Sequence, residues 1–191
     1  MVNLRHWDND GRARFVTFST HRRVALLTDR LACQILLDQI AISRQGHGFR
    51  LLAFVIMPDH VHLVLVPSDA CLVGPMIGDI KRLSARLILS VLRKAASPVV
   101  ARITVSDQGQ SRHAVWEKRC YDHNCRSPED VWEKVNYCHQ NPVKRGYVQD
   151  ASAWDWSSFN CYTGYGAAPL DVDELAQEAL RKSHRWPTRS E

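Results

Sequence analysis

The order of apolar and polar residues first indicates β-strands in the N-terminal half of the chain. Arg14–Ser19 is rich in β-branched and aromatic residues, which favours a strand. Residues 49–57 and His60–Val66 are dense apolar runs of strand length, separated only by Pro58 and Asp59. Two such runs joined by a tight turn predict a central, well-buried antiparallel hairpin.

Apolar residues at helical spacing alternate with these strands. Thr28 or Asp29 is a candidate cap for a helix that ends near residue 44, and a second helix is predicted over Val73–Lys94. Residues 95–112 contain a proline and a polar run, so we expect a loop there, followed by a strand over residues 114–121.

The C-terminal third opens with a strong helix-start signal. Ser127 is a preferred capping residue, Pro128 suits the first helical position, and two acidic residues follow. This helix is predicted to end near Asn141, because a proline comes next, and a short amphipathic helix is predicted over residues 171–182. The order β-α-β-β-α-β-α indicates an α+β fold, a central antiparallel sheet with helices packed on one face.

Composition agrees with one globular domain and excludes several protein classes. Of 191 residues, 45% are apolar and 24% charged, so the chain can bury a core without disulfides or a structural metal. The longest apolar run, residues 51–57, is short against the roughly 20 residues of a membrane helix. With no signal-peptide pattern and no Cys-x-x-Cys pair among six cysteines, we expect a cytoplasmic protein with reduced thiols and no membrane partner.

The positive charge of the chain is concentrated in one segment. The formal net charge is +5, yet residues 81–126 contain ten basic and three acidic residues, a local charge of +7. Such a segment is typical of a surface that binds a polyanion, although a solvated face without a partner has the same composition.

His60 and His62 are the first candidates for chemistry. Two residues apart on a strand, their side chains share a face, while Val61 and Leu63 point into a core. Two adjacent imidazoles supply half of a divalent-metal site. A pair of hydrogen-bonded core histidines is the alternative, and the spacing alone leaves both open.

Tyr137 and Asn141 lie one turn apart on the helix that begins after Ser127, so they share a face. Packing and helix termination account for such residues when each is considered alone. Tyr121, at the end of a predicted strand, has no comparable polar partner one helical turn away.

Five segments together resemble a known family. Residues 57–65, which contain His60-Val61-His62, resemble the HUH motif of single-tyrosine transposases. Residues 15–18, 116–122, 137–146 and 156–158 resemble, in order, further motifs of the REP-associated tyrosine transposases. Cys120 is a departure, because the family pattern has an aromatic residue there.

The resemblance implies a ferredoxin-like HUH nuclease fold and assigns roles to four residues. His60, His62 and Asn141 would hold Mg²⁺ or Mn²⁺, and Tyr137 would be the nucleophile. The implied activity is cleavage and strand transfer on single-stranded DNA hairpins of repetitive extragenic palindromes, through a 5′-phosphotyrosine intermediate, by a nucleoid-associated protein. The group most resembled implies a monomer, and the related insertion-sequence enzymes imply a dimer as the alternative.

The same interpretation selects residues to contact DNA and bounds the domain. Basic and aromatic residues near the expected site are candidate DNA contacts: Lys81, Arg82, Arg86, Arg93, Trp116, Lys118, Arg119, Lys144 and Arg145. For Trp116, a buried position in the core is the equal alternative. The nuclease domain is expected over residues 1–166, and a short helix with a basic tail over residues 167–191.

Two other functions compete with this interpretation. A histidine-triad hydrolase would need a third histidine where Val64 stands, so it is rejected. A domesticated protein that binds hairpin DNA without cutting it remains the alternative. No general base is evident, because His139 would face away from Tyr137 on the helix.

Overall fold

A computed structural model describes residues 11–107, 110–164 and 168–174. Within these ranges the strands are β1 (Arg14–Ser19), β2 (Arg50–Met57), β3 (His60–Val66), β4 (Thr104–Asp107), β5 (Gln110–His113) and β6 (Tyr121–Asn124). The α-helices are α1 (Arg30–His47), α2 (Val73–Lys94), α3 (Val99–Arg102), α4 (Pro128–Lys144) and α5 (Phe159–Thr163). No helix in the described ranges is both long and apolar enough to cross a membrane.

Four strands form the central antiparallel sheet, in the order β2-β3-β1-β6. β3 pairs with both β1 and β2, and the register sets Thr17 opposite His62 and Ser19 opposite His60. β4 and β5 form a separate hairpin. The predicted α+β class, the antiparallel sheet and the β2–β3 hairpin are therefore confirmed.

Helices cover both faces of this sheet, whereas the sequence pattern placed them on one. α1 and α2 pack over the face to which Val61 and Leu63 point. α4 packs over the opposite face, where Val135 and Cys138 share an apolar cluster with Val64. The cause lies in β2 and β3, whose side chains are buried on both faces, so that each face needs its own apolar cover.

α4 begins as predicted but extends one turn beyond Asn141. Ser127 Oγ caps it by accepting a hydrogen bond from Asp130 N at 3.2 Å. Pro142 lies inside the helix and removes one backbone donor without ending it. Bonds from Arg145 N to Asn141 O and from Tyr147 N to Pro142 O close the last turn.

The segment between α2 and α4 differs most from the prediction. The polar run expected to be a loop contains the β4–β5 hairpin, and the strand expected over residues 114–121 is displaced to β6. Trp116 forms an isolated bridge with Thr20 and packs its ring against Phe18. Trp116 Nε1 donates to Ser84 Oγ, which ties this segment to α2.

The predicted C-terminal helix is only partly described, and its first residues are not helical. Residues 171–174 have no regular secondary structure. Asp173 accepts from Leu51 N at 2.8 Å and pairs with Arg44 at 2.7 Å, so the segment is fixed to β2 and α1. The remainder of that helix and the basic tail lie outside the described residues.

Candidate functional site

The two histidines lie at the first residues of β3, on the face covered by α4. Their rings are neighbours, with centroids 4.7 Å apart, and each residue is 4% exposed. Val61 between them points into the opposite core, as the strand alternation predicts. Because β3 begins directly after the turn at Pro58 and Asp59, the two imidazoles lie on the same face and at one end of the sheet.

Each histidine is oriented by a polar side chain at its Nδ1 atom. His60 Nδ1 donates to Asp59 Oδ1 at 2.6 Å, and Thr17 Oγ1 lies 2.6 Å from His62 Nδ1. Such partners fix the ring orientation of metal-ligating histidines and direct Nε2 to the metal. The sequence interpretation missed Thr17 and treated Asp59 only as a turn residue, although Thr17 shares the β1 face that the strand alternation assigns to the site.

Asn141 reaches the same place from α4. Its Nδ2 atom lies 3.2 Å from His62 Nε2, and its buried Oδ1 atom has no hydrogen-bond partner among the described residues. Rotation of the amide by 180° exchanges Nδ2 and Oδ1, so the oxygen can occupy the position 3.2 Å from His62 Nε2. Two ligands of one Mg²⁺ ion, each at about 2.1 Å in octahedral geometry, lie about 3 Å apart. An amide oxygen without a partner beside two imidazoles therefore fits a divalent cation.

Burial keeps both imidazoles neutral, as metal ligands must be. Desolvation, with smaller contributions from positive charge at His60 and Arg145, lowers the pKa of His62 to about 3. Desolvation also lowers the pKa of His60, against the opposing hydrogen bond to Asp59. For Asp59, hydrogen bonds from His60 and Arg23 outweigh burial and lower the carboxyl pKa.

Tyr137 lies beside the histidines and is open to solvent. Its ring centroid is 5.2 Å from that of His62 and 5.7 Å from that of Phe15, and the residue is 38% exposed. Phe15 stacks on His62 and also contacts Tyr121 edge-on at 6.3 Å. Lys144 Nζ lies 5.6 Å from the centre of the Tyr137 ring, so a positive charge accompanies the phenol.

His139 belongs to the packing rather than to this cluster. It is fully buried, its Nε2 atom lies 2.9 Å from Ser158 Oγ, and its ring contacts Phe159 and Tyr162. Ser158 Oγ in turn accepts a hydrogen bond from Phe54 N. His139 therefore links α4 to residues 156–158 and to β2.

The candidate DNA contacts divide between the two faces of the sheet. Lys144 and Arg145 are exposed at the end of α4 beside Tyr137. Arg82, Arg86 and Arg93 are exposed on α2, which covers the other face. Lys118 and Arg119 lie in the segment of residues 114–120 that precedes β6, and Lys81 of α2 lies against that segment.

That segment runs along the histidine end of the sheet. Glu117 N donates to Ser19 O, and Ser19 is the residue opposite His60. Lys81 Nζ donates to Lys118 O, which links α2 to the segment, while Lys118 and Arg119 are exposed. Trp116 is only 8% exposed, so it serves the core instead of presenting a ring to a base.

Comparison with known proteins adds an independent line of evidence. Residues 12–100 match the family described as "Transposase IS200 like". This range contains β1 and the histidine strand but ends before α4. A REP-associated tyrosine transposase of Escherichia coli K12 is 25% identical over 173 residues, which cover 87% of each chain. The chain is similar to the REP-associated tyrosine transposases.

Two further comparisons extend this relationship. A Haemophilus influenzae protein provisionally given the same name is 27% identical over 117 residues, which span 61% of this chain and 62% of that protein. The solved structure of a REP-associated tyrosine transposase bound to a REP hairpin has a TM-score of 0.63 and 22% identity, covering 92% of this chain and 99% of that one. The relatives are transposases, a class of DNA-processing enzyme, and the likeness of structure confirms the fold.

Proposed function

We propose that this protein is a metal-dependent single-strand DNA endonuclease and strand transferase that acts at REP-type hairpins through a 5′-phosphotyrosine intermediate. The proposal rests on one observation: the histidine pair of β3 lies beside Asn141 and Tyr137 of α4. The strand and the helix bring these residues together although they are some 75 residues apart in sequence. The hairpin substrate is suggested by the REP hairpin bound to the structural relative.

The proposed metal ligands are His60, His62 and Asn141, with Mg²⁺ or Mn²⁺ as the cation. When bound, such a cation neutralises phosphate charge and makes the phosphorus more electrophilic. Asp59 and Thr17 would hold the two imidazoles in place for this role.

In the proposed reaction Tyr137 Oη attacks the phosphorus opposite the 3′ oxygen. The phenol loses its proton, an O–P bond forms, the P–O3′ bond breaks, and the released 3′ oxygen takes up a proton. Lys144 would stabilise the phenolate by its charge. Because the phosphotyrosine link retains the bond energy, attack by another 3′-hydroxyl reverses the step and joins strands.

A single assay tests this proposal against the binding-only alternative. The protein is incubated with Mn²⁺ and a single-stranded DNA hairpin, labelled at its 5′ or its 3′ end in turn, and then run on a denaturing gel. We expect a covalent protein–DNA adduct that chelator prevents. Hairpin binding without an adduct or cleavage under any divalent metal would instead support a domesticated binding protein.

Replacing His62 with alanine should remove metal-dependent cleavage while leaving hairpin binding largely intact. Loss of a ligand removes several kcal/mol of charge stabilisation, so the cleavage rate should fall by about 10³-fold or more. His113→Ala, in the β4–β5 hairpin, is the matched control and should keep the full rate. Equal rates in the two variants would show that the histidine pair is not a catalytic metal site.

Lys144 and Arg145 are expected to hold the DNA backbone near the tyrosine. Lys144→Gln or Arg145→Gln should weaken hairpin binding uniformly and reduce the salt slope of log K by about 1 for each phosphate that is no longer neutralised. Arg102→Gln, an exposed arginine outside the proposed path, is the control. An unchanged salt slope in both α4 variants would place the DNA elsewhere.

A further inference from the structure

A second cluster of metal-binding side chains lies outside the histidine site. His123, Cys125 and Asp130 each offer one ligand atom, and these atoms lie within 4.8 Å of one another. His123 and Cys125 are two residues apart at the end of β6, which directs their side chains to the same side. Asp130 comes from the first turn of α4. The proposed cleavage reaction uses none of the three.

One pair of side chains in the cluster already has the spacing of zinc ligands. His123 Nε2 lies 3.1 Å from Asp130 Oδ2. Ligands about 2.0–2.1 Å from a tetrahedral zinc ion lie about 3.3 Å from each other, so this pair needs little adjustment. Arg126 N donates to Asp130 Oδ2 at 3.0 Å, and Cys125 N donates to Ala13 O at 2.8 Å, which hold two of the ligands in position.

We propose that His123, Cys125 and Asp130 bind a thiophilic divalent cation of the zinc class, with water in the fourth position. Thiolate, imidazole and carboxylate form a zinc ligand set, whereas Mg²⁺ prefers oxygen ligands alone. Binding releases the thiol proton of Cys125 to solvent, because the thiolate is the ligand. Cys125 also lines a cavity of about 290 Å³, which offers the ion a way in.

The charged neighbours of Asp130 allow a bound cation to take the place of Lys134. Lys134 Nζ lies 3.7 Å from Asp130 Oδ1 and 2.9 Å from Glu133 Oε1. A bound cation would replace Lys134 as the counter-charge of Asp130, and Lys134 would keep its pair with Glu133. The ion would then clamp the edge strand β6 to the first turn of α4, the helix that carries Tyr137.

Cobalt titration of the metal-free, reduced full chain tests the proposal, because Co²⁺ bound to a thiolate has a near-ultraviolet charge-transfer band. We expect that band at one equivalent, together with the visible bands of a tetrahedral ion, and their loss when Zn²⁺ is added. Cys125→Ser should abolish the charge-transfer band. His60→Ala should keep it, which separates this site from the histidine pair and from the proposed nuclease activity.

Two further variants guard against misfolding and adventitious binding. His123→Ala changes a half-buried side chain, so the protein should fold and bind Co²⁺ at least about tenfold more weakly. Cys161→Ser removes an exposed thiol and should leave the band unchanged. The proposal is overturned if the wild-type chain gives no thiolate band, or if the band survives in Cys125→Ser or vanishes in Cys161→Ser.

Discussion

Tyr137→Phe is expected to abolish the covalent protein–DNA adduct and to reduce strand cleavage by at least about 10³-fold. The substitution removes one oxygen, the atom that would form the bond to phosphorus, and leaves the ring to pack against His62 and Phe15. The residue is 38% exposed, so its loss of a hydroxyl should cost the fold little. Hairpin affinity should stay within a few-fold of the wild type, because the phosphate contacts remain.

Tyr121→Phe is the matched control for this experiment. Tyr121 is 55% exposed, belongs to β6 and contacts the same Phe15 ring, so it is a second tyrosine close to the histidines. It should keep full adduct formation. An adduct that persists in Tyr137→Phe and disappears in Tyr121→Phe would transfer the nucleophile to β6, while loss in both would point to a shared role in binding DNA.

Local rules were sufficient to predict the histidine half of the site. Strand alternation alone puts His60 and His62 on one face and Val61 in the core, and the structure has that arrangement. Helical spacing likewise predicts that Tyr137 and Asn141 share a face. Spacing alone could not predict that the histidine strand and the tyrosine helix meet. Their meeting follows from the packing of α4 over the second apolar face of β2 and β3.

The residues that the sequence interpretation missed act through tertiary pairing. Thr17 reaches His62 only because β1 and β3 are antiparallel in a particular register, and local spacing does not show how two strands distant in sequence align. Trp116 was a candidate for stacking on a base, with a buried position as the alternative, and its indole packs on Phe18 and donates to Ser84, both of which are distant in sequence. The sequence pattern therefore predicted the candidate site residues better than the bounds of the elements and the side chains that orient them.

The positions of the basic residues limit the path that the proposed hairpin substrate can take. The arginines of α2 and the cations of α4 lie over opposite faces of the sheet, so one straight strand cannot contact both groups. Lys118 and Arg119 lie between them, in the segment that follows the histidine end of the sheet. A hairpin that contacts all three groups would have to pass around that end, beside Tyr137.

The second large effect is expected at a buried ion pair between β1, the neighbour of the histidine strand, and the edge strand β6. Arg14 of β1 donates through Nε and Nη2 to both carboxylate oxygens of Asp122 of β6, at 2.9 and 2.5 Å. The side chains are only 2% and 5% exposed. Asp122→Ala would leave a guanidinium without this carboxylate in the interior, so the free energy of unfolding should fall by about 3–5 kcal/mol.

Denaturant unfolding of three variants makes this prediction decisive. Asp155→Ala breaks the exposed pair with Arg30, whose side chains are 76% and 66% exposed, and should cost less than about 1 kcal/mol. The double variant Arg14→Met with Asp122→Leu should recover most of the stability, because apolar side chains of similar size need no partner. If Asp122→Ala costs no more than Asp155→Ala, the pair does not hold β6 to the sheet. A large cost that the double variant rescues would locate the penalty in the arginine that has lost this carboxylate, since the backbone pairing of β1 and β6 is the same in both.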